Sequence, residues 1–479
     1  MPGQTVVRGI ADVIAHIDAR QRITGRLGLV WWLALSGLFL DAFSNSALSA
    51  GLGPMTKDLA LSPGQVALLT SMASFVAIAF NPIGGWMADR WGRIPPLVFA
   101  KVLALVGAGL AAFAPAFEMV VLGRFFVGAA YGIDFAIAMA VLGELTPARL
   151  RARLNTWQGI WYVATSSNLL LAIAFYNMDV GDAIWRYAVG SAGVVALVLV
   201  VAQLVFMVES PTWLARKGDL DRAARCLGTI LETPFVAAPV EDRAPVLKRA
   251  DKGLRNVALI FRGTYLPRTI LATTVQIGQS VQYFAVGWYL PIISLTLFGD
   301  DFVVATLGAL VFNLFGILGG FSSATIGKRL GLRRASALGF SAVFVILVVL
   351  GLFHETMPLV LAFVLPSLFI LCHSGGPGAN GKSISTLSFR SELRASANGV
   401  IGALGSIGAA LGLLVFPLLK AQIGLGPTFL VLALVPLAAA IICFSISWEP
   451  TRAPVSPDEE LDAPQFDEVD RPRATVERT

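Results

Sequence analysis

About twelve apolar runs, each long enough to cross the hydrocarbon core of a bilayer, constrain this chain more than any other feature. At about 1.5 Å rise per residue they read as helices over roughly 28–52, 66–87, 94–114, 117–142, 155–177, 186–208, 267–294, 302–325, 335–353, 357–384, 395–419 and 425–448. Only 14% of the 479 residues are charged, well short of the quarter or so that soluble domains carry. The expected fold is an all-α membrane protein, with twelve transmembrane helices in two six-helix halves.

A polar stretch at 209–266, rich in Arg, Lys and Asp, separates the halves. The expected organisation is a cytoplasmic N-terminal segment at 1–27, a bundle at 28–208, a cytoplasmic central loop at 209–266 and a second bundle at 267–448. A tail at 449–479, rich in proline and acid, reads as disordered. Charge orients the chain. One set of loops carries Arg90, Arg93, Arg149, Arg151, Arg153, Lys328, Arg329, Arg333, Arg334, Arg390 and Arg394. The other carries Lys57, Asp58, Glu118, Asp179, Asp182, Asp300, Asp301, Glu355 and Lys420. The basic set faces the cytoplasm, which puts both termini there. Residues 1–27 lack a charged region followed directly by a short apolar core, so the first helix is expected to do the targeting. Cys226, Cys372 and Cys443 have neither metal spacing nor a disulfide framework and read as packing residues.

The stretch Gly85-Trp86-Met87-Ala88-Asp89-Arg90-Trp91-Gly92-Arg93 falls between the second and third runs. Gly85 and Gly92 offer backbone freedom for a tight turn. Asp89, just past the expected helix end, is placed to pair with Arg90 or Arg93 or to face a neighbouring helix terminus. A plain solvated turn is the alternative. Glu144, Pro147 and Arg151 give E-x-x-P-x-x-x-R after the fourth run, and Glu209-Ser210-Pro211-Thr212 follows the sixth.

The pattern G-x-x-x-D-R-x-G-R resembles the signature loop of the major facilitator superfamily, except that Ile94 stands where the family carries a further basic residue. The two later motifs are similar to those of the sugar-porter branch and of related metabolite:proton symporters. Val208 and Thr212 replace the outer residues of that branch's Pro-Glu-Ser-Pro-Arg. The second half matches less well. Lys328 stands in the place of Asp89, and Leu387 and Arg390 stand where relatives carry Glu and Pro. The resemblance implies two repeated halves alternating around a midplane site, with salt bridges at the cytoplasmic helix ends acting as a gate. Stop-transfer charge is the plain alternative, although topology needs no acid.

Ionisable groups inside membrane helices are the stronger candidates, because burying charge in lipid is costly. Asp41 lies mid-helix in Leu40-Asp41-Ala42-Phe43-Ser44-Asn45, and the resemblance makes it a proton-coupling candidate. Asp134, in Gly132-Ile133-Asp134-Phe135, is similar to a Gly-x-Asp-aromatic pattern of phosphate:proton symporters and is the second. Arg124 is placed to pair with Asp41 or to bind an anionic substrate. For all three a structural ion pair is the alternative. Gln276, Gln279, Gln282 and Tyr283 share one face of the seventh run and mark a wet cavity. The full glutamine pattern of sugar porters is absent there. Gln158 with Trp161, and Asn45 with Asn313, are candidate partners across that cavity; helix–helix hydrogen bonding is the ordinary alternative.

Residues Gly376 to Ser383 read literally as G-x-x-x-x-G-K-S. A phosphate-binding loop needs a preceding strand and an α/β context, and here an apolar run precedes it. The glycines are better read as a break in the tenth helix, with Lys382 as a cation of the substrate cavity and His373 nearby. The chain is therefore expected to be a carrier in an inner membrane, not an enzyme. It would move a small polar metabolite by proton symport, as a monomer, with no cofactor, no metal and no nucleic-acid partner. An organic acid fits Arg124 and Lys382; a sugar or polyol fits the glutamines. Phosphate fits less well, because the seventh run lacks an acid and the eleventh a lysine, where the phosphate symporters that the chain resembles carry both. An uncoupled facilitator and a non-transporting membrane sensor are the rival readings.

Overall fold

The computed structural model describes residues 5–244, 258–289 and 302–451. Asp300, Asp301, the end of the seventh run at 290–294, part of the central stretch at 245–257 and the tail from 452 lie outside the described residues. After a short helix α1 (Ile10–Asp18), the first half comprises α2 (Gly25–Asp58), α3 (Pro63–Trp91), α4 (Ile94–Ala112), α5 (Phe117–Leu145), α6 (Thr156–Asn177) and α7 (Ile184–Phe206). Two short helices follow, α8 (Pro211–Arg216) and α9 (Leu220–Leu231). The second half comprises α10 (Tyr265–Ala285), α11 (Phe302–Leu330), α12 (Leu332–Phe353), α13 (Leu359–Gly375), α14 (Pro377–Ser388), α15 (Ser391–Ile423) and α16 (Leu425–Ser445).

Ten of the described helices are long and apolar enough to cross a membrane. The other two crossings explain themselves. The glutamines of α10 dilute its hydropathy, and the tenth crossing is divided into α13 and α14 at Gly376. Local sequence sets the helix starts. Ser62 and Gln65 form a reciprocal capping box at the head of α3, with Pro63 in the first turn. The run-based boundaries fall short at several ends, because polar residues continue the helical hydrogen bonding past the apolar core. Asp89 is one of them: it lies in the last turn of α3, not beyond it.

The halves meet where backbones come close. A side chain at Gly85 of α3 would lie 2.5 Å from the Ala395 carbonyl oxygen of α15. One at Gly320 of α11 would run into Gly159 of α6. Small residues allow such approaches in lipid, where close packing rather than exclusion of water joins helices. Gly85 therefore serves an inter-half contact, not the turn. Gly92 does serve the turn, with φ +101°.

The end of the bundle bearing Arg93, Arg151 and Arg394 is the basic end. There the N-terminal and central segments are folded, not simple loops. Strand β1 (Thr5–Val7) pairs in parallel with β2 (Phe235–Ala237). Helix α9 buries Leu220, Ala223, Leu227 and Ile230 on one face and exposes Arg222 and Arg225 on the other. Helix α1 buries Val13 and Ile17 and packs against α8 and α9. Asp18 accepts a 2.7 Å hydrogen bond from the Ala148 amide, which ties α1 to the turn leading into α6.

One capping device occurs in both halves. Glu209, after α7, accepts from the amides of Arg93 and Ile94 at 2.8 and 3.3 Å at the head of α4. Glu449, after α16, accepts from the amides of Leu332 and Arg333 at 2.8 and 3.0 Å at the head of α12. Each carboxylate sits where helix amides lack intrahelical partners. Each lies against a glycine of positive φ, Gly92 and Gly331. Glu449 is thus structured, against the expectation that the tail is disordered from 449.

Candidate functional site

At the basic end Arg93 is the hub. It is fully buried and reaches Glu144 with two nitrogens, at 2.7 and 3.4 Å, and Asp89 at 2.9 Å. Burial alone works against its charge, but Glu144 and Asp89 hold the guanidinium above its ordinary range. Ser210 donates to Glu144 at 2.6 Å, and Arg216 stands 3.9 Å from the same carboxylate. Asp89 also reaches across the halves, accepting from the Ser396 hydroxyl of α15 at 2.6 Å and from the Ser396 amide at 3.3 Å. Arg90 takes no part in this network: its guanidinium lies over Trp86, 5.7 Å from the ring centroid. Pro147 follows α5 and precedes the turn at 148–155, and Arg151 lines a polar cavity of about 450 Å³ with Asp18, Glu144 and Arg394. In this conformation the two halves are joined at the basic end.

Between the halves lie two adjoining cavities. The first, of about 580 Å³, includes Asn45 and Ser49 of α2, Trp161 of α6, Tyr283 of α10 and Asn313 of α11. Its α2 residues run away from the basic end. The second, of about 460 Å³, includes Tyr131, Gln158, Gln276, Gln279, His373 and Lys382. Trp161 and Tyr283 line both, and the indole N–H lies 3.5 Å from the Tyr283 hydroxyl across the halves. The Lys382 ammonium lies 4.2 Å from the centroid of the Phe135 ring and has no carboxylate within 4 Å among the described residues. Such a cation over an aromatic face keeps favourable contact without a fixed counter-ion.

The break in the tenth crossing places these groups. Gly376 has no helical conformation, and α14 restarts at Pro377. Asn380 then accepts a 2.6 Å hydrogen bond from Asn155 and donates to Ser336 and to the Leu332 carbonyl, each at 2.9 Å. The literal phosphate-loop motif is thus buried inside a helical bundle, with Lys382 turned to the cavity.

Two expected positions differ from the sequence reading. Gln282 does not line either cavity with its three face-mates. Its amide instead meets His373 Nδ1 of α13 at 2.8 Å. Arg124 forms no ion pair with Asp41 and is not itself a wall residue of either cavity, although it reaches Asn45 in the wall of the first. It donates to Asn45 at 3.4 Å and borders a separate gap lined by Ser44, Met55 and Val189. One turn on α2 separates Asn45 from Asp41, and the guanidinium meets the outer of the two.

Asp134 has a partner that the sequence reading left out. Lys101, in the middle of α4, pairs with it, and both side chains are 1% exposed. Asp41 lies in electrostatic reach of this pair and of Lys382, and its Oδ2 has no hydrogen-bond partner. A lone lysine inside an apolar run was the signal for Lys101, of the same kind that marked Asp41 and Asp134.

A twelve-helix bundle of two repeated halves, joined at one end and holding between them cavities into which polar side chains project, is the architecture of a membrane carrier. The chain belongs to the family described as sugar (and other) transporter, which matches residues 33–451. It is an integral membrane transporter of the major facilitator fold and not an enzyme. It is 23% identical to the probable metabolite transport protein CsbC of Bacillus subtilis (strain 168), over 87% of this chain and 90% of that one. It is 30% identical to inositol transporter 4 of Arabidopsis thaliana, over 59% of this chain and 50% of that one. Among solved structures it resembles the proton:xylose symporter XylE bound to 6-bromo-6-deoxy-D-glucose. The TM-score is 0.76 and the identity 17%, over 92% of this chain and 97% of that one.

Proposed function

We propose that this carrier moves a small organic acid together with protons by alternating access. One observation carries the reading: Lys382, buried in the wall of the second cavity, has no carboxylate within ion-pair distance among the described residues. An anionic substrate supplies that counter-charge, while Gln158, Gln276, Gln279 and Tyr283 bind its polar groups and the aromatic walls its carbon skeleton. Asp41 loads the proton. An anion at Lys382 removes the cation that favours ionised Asp41, so anion and proton bind together. Asp89, Glu144, Arg93, Arg151 and Glu209 form the gate that parts when the cavity opens at the basic end. The basic end faces the cytoplasm of an inner membrane, both termini lie on that side, and the chain acts as a monomer.

A sugar or polyol is the second reading. The row of glutamines favours it, as does the likeness to carriers named for inositol and xylose. A thermal-shift panel of carboxylates, sugars and polyols on purified protein separates the two. A ligand at a hundredfold excess over its Kd stabilises the folded state by about 2.7 kcal/mol. The organic-acid reading expects a carboxylate to raise the Tm, more so at lower pH, and Lys382→Gln to abolish the shift. A sugar or polyol shift that survives Lys382→Gln decides for the second reading.

A further inference from the structure

Lys101, Asp134 and Asp41 come from three different helices and lie together inside the first half. Lys101 of α4 is paired with Asp134 of α5, and both are almost completely buried. Helix α2 leans directly on the pair at Gly37: a methyl group there would sit 2.7 Å from Lys101 Nζ and collide with the Asp134 carboxylate. Asp41 is one helical turn further along α2, so it shares that face. The titratable and charged groups around Asp41 are Lys101 from α4, Tyr131 and Asp134 from α5, and Lys382 from α14. Helix α6 carries no charged residue, only the phenols Tyr162 and Tyr176. Over this level α3 and α7 carry no charged residue, since Asp89, Arg90 and Arg186 lie at their ends.

Two carboxylates at this spacing, without a cation between them, would oppose each other's ionisation. Lys101 removes that conflict for one of them only. Its ammonium is paired with Asp134 Oδ1, while Asp41 has no ion-pair partner among the described residues; the second oxygen of each carboxylate, Oδ2, is buried without a hydrogen-bond partner. The pair is neutral as a unit. Asp41 therefore meets the opposed charges of Asp134 and Lys101 together with that of Lys382, the cation that borders the substrate cavity.

We propose that Lys101 is the positioning residue of proton coupling: it holds Asp134 ionised and cancels its charge, which leaves Asp41 as the carboxyl of this cluster that gains and loses a proton. This rests on the reading of Asp41 as the proton-loading group. It assigns Asp134 a fixed charge instead of a share in that role. It also gives Lys101 a function distinct from that of Lys382, since Lys101 borders neither cavity.

The test needs no knowledge of the substrate. N,N′-dicyclohexylcarbodiimide adds to a protonated carboxyl in an apolar setting. The acid proton moves to a carbodiimide nitrogen, the carboxyl oxygen bonds to the central carbon, and rearrangement leaves a stable acylurea. The full chain in lipid nanodiscs is treated with the reagent across a pH series, and labelled peptides are quantified by mass spectrometry. In the unmodified protein, Asp41 is expected to take label that fades as pH rises, and Asp134 to take almost none. Lys101→Met is expected to raise Asp134 labelling by about tenfold, the effect of one unit in proton affinity. Lys101→Arg is expected to leave it low.

Two further variants cover a failure of Lys101→Met to fold. Asp134→Asn leaves Lys101 charged beside Asp41, so Asp41 labelling is expected to drop by about tenfold at a given pH. The double variant Lys101→Met/Asp134→Asn is expected to return it to the original pH profile. Equal labelling of Asp134 and Asp41 in the unmodified protein, or an Asp41 profile unmoved by Asp134→Asn, overturns the role of Lys101. Absence of label on Asp41 at every pH instead overturns the proton-loading reading, while the Asp134 arm still decides whether Lys101 keeps that acid ionised.

Discussion

Asp89 of α3 accepts a 2.6 Å hydrogen bond from the Ser396 hydroxyl of α15, a contact that ties the two halves together at the basic end. Hydrogen bonds to a charged group contribute about 1.5–3 kcal/mol. Ser396→Ala is therefore expected to lower the ratio of closed to open molecules at this end by about tenfold or more. Electron–electron resonance distances between spin labels on the basic ends of α3 and α15 measure that ratio. A distance distribution identical to that of the parent would show that the contact does not hold the gate.

Arg93 and Glu144 are both fully buried and joined by two hydrogen bonds. Removing one partner of a buried ion pair costs about 3–5 kcal/mol, because the other charge is left without compensation. Arg93→Met is expected to lower the Tm sharply. Arg93→Met/Glu144→Gln should recover much of the loss, since the double change leaves no lone carboxylate at Glu144. Equal melting of the single and double variants would contradict the hub assignment.

Gly85→Leu adds a side chain where even a Cβ would lie 2.5 Å from the Ala395 carbonyl oxygen. Closure at the basic end becomes sterically impossible without moving α15. The expected result is a carrier held open at that end. A cysteine at position 158 should then react faster with a charged maleimide applied from the basic side. Gly109→Ala, where nothing lies within 4 Å of the new Cβ, is the control and should leave that rate unchanged.

Glu449 and Glu209 make the same pair of amide contacts in the two halves. Loss of a cap costs about 1 kcal/mol. Glu449→Ala is expected to reduce stability by about that much. Glu209→Ala should cost more, because its cap sits on Arg93, the residue that carries the buried network. Calorimetry of the two variants gives the order, and a larger loss from Glu449→Ala would refute it.

Much of this architecture could be read from the chain. The runs located the crossings, and Gly376 and Pro377 marked the break in the tenth. Glu144, Arg93 and Glu209 were each recognisable in their motifs. What the motifs did not contain was the hub role of Arg93 over Arg90: both are arginines of one short motif, and only the packing of α5 beside α4 sets Glu144 against Arg93 and leaves Arg90 over Trp86. Glu449 was hidden for another reason. Its neighbours are proline and acid, the composition of a disordered tail, and its role exists only because α12 begins beside it.

The sequence by itself determined how many times the chain crosses, where polar residues interrupt the apolar runs, and which end is basic. These follow from local chemistry: a helix satisfies its own backbone in lipid, and charge collects at its ends. Only the tertiary structure decided the partners. Lys101 and Asp134 are 33 residues apart, and Asp89 and Ser396 are 307 apart. Nothing local fixes the rotation of one helix against another. That rotation is set where helices approach closely, backbone to backbone at Gly85 and Gly320 and backbone to side chains at Gly37, and it turns Lys382 to the cavity, Gln282 to His373 and Lys101 to Asp134.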